Sequence, residues 1–113
     1  MTVEPNIPAA KALELTGLIS HTEKGIASRV IARSGEGSVT LFAFDVGQEL
    51  NEHTAPYDAL VVVLEGTLML NIRGIPVRAA QGTVVRIPAN EPHAVESHGR
   101  AKMLLVMFRE RNT

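Results

Sequence analysis

A chain of 113 residues with a formal net charge of −1 and 45% hydrophobic residues has the size of one domain and enough apolar side chains to bury a core. Its near-neutral balance, with no basic tract, excludes the charge pattern of a nucleic-acid or anionic-membrane binder. It has no cysteine, so no disulfide framework can hold the fold, and no apolar run approaches the length that crosses a bilayer.

Residues 1–8 carry Pro5 and Pro8 and little pattern, and read as an arm. They lack the basic and apolar regions of a signal peptide, so a cytoplasmic compartment is expected. Ala9–Thr16 suits a helical turn or a first strand; its composition favours helix, but it is too short to stand alone. Gly25–Ser34 reads as a strand built on Ile26, Val30 and Ile31. Ser34–Gly37 is a turn and Val39–Asp45 a second strand. His21, in the polar stretch Ser20–Lys24, is expected on the surface.

Short strands separated by turn signals follow, the spacing of an all-β barrel or sandwich. Leu60–Leu64 is a continuous apolar run, so cover is expected on both faces. Thr67–Arg73 alternates, with Leu68, Leu70 and Ile72 on one side. Arg73-Gly74 is a turn, Ile75–Ala79 a strand, Gln81-Gly82 a turn and Thr83–Ile87 a strand. Pro88–Pro92 must be a loop, since proline cannot join a central ladder. His93–Ser97 and Lys102–Arg109 are the last strands, with Met103, Leu105 and Met107 sharing a face.

Two stretches stand apart from this pattern. The first is Gly47-Gln-Glu-Leu-Asn-Glu-His53-Thr-Ala55-Pro-Tyr-Asp-Ala59-Leu-Val-Val-Val-Leu-Glu-Gly66. The second is Gly82-Thr-Val-Val-Arg-Ile-Pro88-Ala-Asn-Glu-Pro-His93. Gly82 permits a positive φ before a strand, Pro88 ends that strand, and His93 opens the next. Together these stretches resemble the two motifs of the cupin superfamily, and the whole chain resembles its small, single-domain, conserved-barrel (RmlC-like) members. The resemblance implies an antiparallel cupin β-barrel of jelly-roll type with six to eight strands, spanning 1–113 as one domain. It also implies a homodimer with its ligand or metal in the barrel mouth. Cupins take two His and a Glu from the first motif and a His from the second as metal ligands. This chain keeps His53 and His93 but carries Ala55 and Ala59 at the other two positions.

Two imidazoles could still share Fe, Mn, Ni or Zn, but a catalytic zinc site wants three protein donors. Strand parity turns Glu52 and Asp58 away from the lumen, and Glu96 away from His93; only a bulge after Pro56 would bring Asp58 in. Asp58 therefore reads as a surface or loop-capping residue. Arg86 should face outward and pair with an acid. A pocket around the two histidines would be lined by His53, Ala55, Tyr57, Ala59, Val61 and His93, with Met103 and Met107 from the last strand. The methionines read first as core filler. Tyr57 reads as a rim or dimer contact. Space left by the two alanines could hold ligand or water, or be taken up by neighbours. Two functions stay open: a barrel that binds a small organic ligand, sugar-like or carboxylate, and a metal-dependent dioxygenase, isomerase or lyase using His53 and His93. A dimer through the Leu60–Leu64 run is compatible with both.

Overall fold

Strand period and turn chemistry shape the computed structural model, which describes residues 7–109. The expected arm at 1–8 therefore lies largely outside the described residues. Ala9–Thr16 forms no strand; the one helical turn among the described residues is a 3-10 helix at Leu15–Leu18.

Among the described residues there are nine strands, one or more beyond the six to eight implied by the resemblance. They are β1 (Ile26–Ser34), β2 (Gly37–Phe44), β3 (Glu49–His53), β4 (Asp58–Glu65), β5 (Thr67–Ile72), β6 (Ile75–Ala80), β7 (Val84–Ile87), β8 (His93–Ser97) and β9 (Ala101–Phe108). Part of the surplus is β3, whose residues are mostly polar and exposed and give no alternation to read. The strands form two antiparallel sheets, ordered β1-β2-β9-β4-β7 and β3-β8-β5-β6. The turn at Arg73-Gly74 has φ of 52° and 79°. Two successive left-handed residues suit a two-residue hairpin, because they match the twist of the flanking strands.

The core lies between the sheets. Ala59, Val61 and Val63 of β4, Met103 of β9, Leu68 and Leu70 of β5, Val95 of β8 and Ile87 of β7 pack there around Phe44. Each large apolar side chain buried in this way contributes about 1.5–3 kcal/mol.

Among the described residues, the outer face of the five-stranded sheet is covered at one end only. The N-terminal segment lays Leu15, Leu18 and Ile19 over Leu41, Ala43, Leu64 and Leu104. Two cations stitch it down: Lys102 Nζ donates to the Thr16 carbonyl at 2.7 Å and Arg29 to the Leu18 carbonyl at 2.9 Å. Leu64 thus gains the expected cover, whereas Leu60 and Val62 stay half-buried. His21 is not a plain surface residue, since the segment folds back onto the sheet. Its ring is half-buried, and Nε2 is enclosed without a hydrogen-bond partner among the described residues.

Candidate functional site

His53 ends β3 and His93 begins β8, and the two stand directly opposite each other across the ladder. A register shift between Leu50 and His53 makes this possible. Leu50 packs inward against the core, so strict alternation would turn His53 outward. One extra residue on β3 resets the parity and aims His53 to the same side as His93, a common use of a bulge beside a site. The ring centroids lie 4.3 Å apart at an interplanar angle of 59°.

The loop Pro88–Pro92 fixes the second histidine. Asn90 takes φ +67°, a conformation that asparagine tolerates better than most residues. Its N–H donates to the Ala55 carbonyl at 2.8 Å. The Ala89 N–H donates to Asp58 Oδ1 at 2.9 Å. The second motif is thereby tied to the first at two adjacent points.

Each imidazole makes the same local bond. His53 Nδ1 meets the Asn51 carbonyl at 2.8 Å, and His93 Nδ1 meets the Glu91 carbonyl at 2.9 Å. A carbonyl can only accept, so Nδ1 carries the proton in both rings. In the neutral rings Nε2 is then the lone-pair atom, and among the described residues neither Nε2 has a hydrogen-bond partner.

Beneath the histidines the barrel is filled. Val61 and Met103 are 0% and 1% exposed and Ala59 is 5% exposed, so these side chains belong to the packed core. The space left at Ala59 is taken up by neighbours, with Ile87 and Met107 directly opposite it on the flanking strands. His93 is nearly buried, while His53 is exposed and Ala55, Tyr57 and Met107 are half-buried. The site is therefore a shallow mouth, and the lower half of the sequence-predicted pocket is packed core.

Charged groups ring the mouth in pairs. Arg86 reaches Asp58 at 3.5 Å and Arg73 reaches Glu91 at 3.4 Å. The Arg109 guanidinium lies 4.7 Å above the Tyr57 ring centroid. Asp58 is thus engaged by the Ala89 N–H and Arg86, not aimed at the histidines. Away from the mouth, His98 pairs with Glu96 at 2.9 Å. Among the described residues no group of three or more His, Asp or Glu side chains is placed to hold a metal ion. Two imidazoles, two alanines and a committed Asp58 do not make the donor set of a cupin metal centre.

The chain matches the model of the cupin domain over residues 40–108, more than half its length. A conserved protein of unknown function from Streptococcus pyogenes is similar in structure, 32% identical over 99% of this chain and 98% of that one, with a TM-score of 0.89. A cupin superfamily protein from Desulfitobacterium hafniense is 28% identical over 93% of this chain and 96% of its own, with a TM-score of 0.87. A cupin 2 conserved barrel domain protein from Leptotrichia buccalis is 34% identical over 86% of this chain, with a TM-score of 0.83. This chain spans only 47% of that last protein. No curated protein matches. Motif spacing, jelly-roll topology and these likenesses agree, and the chain belongs to the cupin domain family.

Proposed function

We propose that this cupin binds a small organic ligand at the barrel mouth, using His53 and His93 as a pair of hydrogen-bond acceptors. The observation that carries this reading is the shared orientation of the rings. Both Nδ1–H groups are spent on backbone carbonyls, so both Nε2 atoms are left for a ligand. Neighbouring acceptors of this kind fit a molecule that presents two hydroxyl groups, such as a sugar-like polyol or a hydroxy-carboxylate. Ala55 and Tyr57 supply the half-buried wall against which its carbon skeleton can rest. The domain works as a homodimer, joined through the uncovered part of the five-stranded sheet.

The test combines metal analysis with ligand titration. Mass spectrometry of the untagged protein, before and after soaking in Fe, Mn, Ni and Zn, is expected to find no stoichiometric metal. In heteronuclear NMR, a panel of polyols and hydroxy acids should include members that shift resonances around His53 and His93 saturably. A His53→Ala/His93→Ala variant should weaken that binding by about thirtyfold, from two hydrogen bonds of about 1 kcal/mol each. Near-stoichiometric metal that disappears in the double variant would instead establish the metal-dependent enzyme, with a donor from outside the two motifs. The fixed ring orientation would serve that case too, since metal-bound histidines also donate their second N–H to carbonyls.

A further inference from the structure

A second polar site lies at the other end of the barrel. The ladder places Ile72 opposite His93 and Leu68 opposite Ser97. Thr67 and His98 are therefore five residues along their strands from the mouth, about 16 Å at strand rise. They sit on the outer face of the four-stranded sheet, where Met69 stands directly opposite Arg78. There a hollow of about 500 Å³ is lined by Thr67, Met69, Arg78, His98 and Arg100, with Gly66 and Gly99 at its turns.

Four features converge on this hollow. Arg78 is exposed and has no hydrogen bond or ion pair among the described residues. Arg100 is held in one orientation by its Nε–H, which donates to Asp45 Oδ1 at 3.0 Å. Its terminal amino groups have no partner among the described residues. The Thr67 hydroxyl is half-buried and also without a partner among them. Gly66 takes φ +74°, and a Cβ there would strike the Arg100 carbonyl. The absence of that atom lets the β4–β5 turn lie against the β8–β9 turn. Neither Asp45, which holds Arg100, nor Glu96, which is turned to His98 at 2.9 Å, lines the hollow.

We infer that this hollow is a binding site for a phosphate group, clasped by the guanidinium groups of Arg78 and Arg100 with the Thr67 hydroxyl as a further donor. Donors arriving from two strands and a turn suit a tetrahedral anion with several acceptor oxygens better than a planar carboxylate. A planar guanidinium fork is the usual protein partner of such oxygens. The site does not depend on the histidine pair at the mouth.

The experiment is an NMR titration with inorganic phosphate at constant ionic strength, balanced with sodium chloride. The amides of Thr67, Gly99 and Arg100 should shift saturably, and chloride alone should leave them in place. Arg78→Gln removes one charged donor without touching the Asp45 contact, and should weaken binding about tenfold. The His53→Ala/His93→Ala variant should bind phosphate as the wild type does. A parallel titration with a phosphomonoester separates two sources: tighter binding marks the phosphate as the head of an organic ligand, and equal or weaker binding marks the free ion. Shifts that grow linearly, that chloride reproduces, that survive Arg78→Gln unchanged, or that vanish in the histidine variant would overturn the assignment.

Discussion

Asp45 follows the last residue of β2 and does more than end a strand. Its carboxylate accepts from the Lys24 N–H at 2.7 Å and from Arg100 Nε at 3.0 Å. Its backbone N–H donates to the Gly25 carbonyl at 3.1 Å, and its own carbonyl accepts from the Ser97 hydroxyl at 2.8 Å. One residue thus ties the start of β1, the end of β2 and the turn after β8. The backbone N–H of Lys24, then that of Val46, then the Arg100 side chain hold its pKa down to about 2, from an ordinary value of 3.8. A carboxylate depressed in the folded state stabilises the fold above its unfolded pKa, and that contribution fades as pH falls through the folded value. Asp45→Asn should therefore be less stable than the wild type at pH 7. The gap should close as pH drops from about 4 towards 2, read from urea midpoints at fixed salt. A gap that stays constant across this window would show that the charge of Asp45 contributes nothing.

The loop between β7 and β8 is the element that brings the motifs together, and Asp58 is its anchor. Two bonds of unequal weight meet on that carboxylate. The Ala89 N–H is a backbone donor at 2.9 Å. The Arg86 contact spans 3.5 Å between side chains that are 62% and 17% exposed. An exposed ion pair contributes under about 1 kcal/mol, whereas stranding a part-buried backbone donor costs about 1–3 kcal/mol. Asp58→Ala should lower stability by about 2 kcal/mol and loosen ligand binding at the mouth. Arg86→Ala should cost less than about 0.5 kcal/mol and leave binding unchanged. Equal losses in chemical denaturation would mean that the ion pair, not the loop anchor, is what Asp58 supplies. Sequence parity turns Asp58 and Arg86 outward, because regular alternation holds along β4 from Asp58 to Val63 and along β7. The same logic could not find β3, whose polar residues hide its period. Nor could it find the bulge at Asn51–Glu52, since a bulge is defined only against its partner strand. The place of His53 in the motif implies that it faces inward, and the physical cause is that extra residue. The role of Asp45 is hidden in the sequence for a similar reason, as its partners lie 21 and 55 positions away.

On the scale of the whole molecule, the two sheets enclose one packed core, yet the five-stranded sheet also carries an apolar outer surface. Strand register arranges it as a lattice. Val39, Val106 and Leu60 lie side by side across β2, β9 and β4, and Leu41, Leu104, Val62 and Val84 form the next row across four strands. The N-terminal segment covers the Leu41 and Leu104 end. Leu60, Val62 and Val106 are left half-buried, and Val84 is 59% exposed. A contiguous apolar patch on the centre of a sheet is the kind of surface that a two-fold dimer covers with its own copy, because each residue of the patch meets the same patch on the partner. The dimer should appear in sedimentation or light scattering at micromolar concentration as twice the 12.2 kDa chain mass. Val62→Glu places a charge in the middle of the patch while its neighbours Val61 and Val63 keep the core intact. Burying that charge without a partner costs several kcal/mol, so the variant should run as a folded monomer. Its mouth should still bind ligand, since His53 and His93 lie on the other sheet. A wild-type chain that is monomeric at this concentration would remove the dimer, and a Val62→Glu variant that stays dimeric would move the interface to another face.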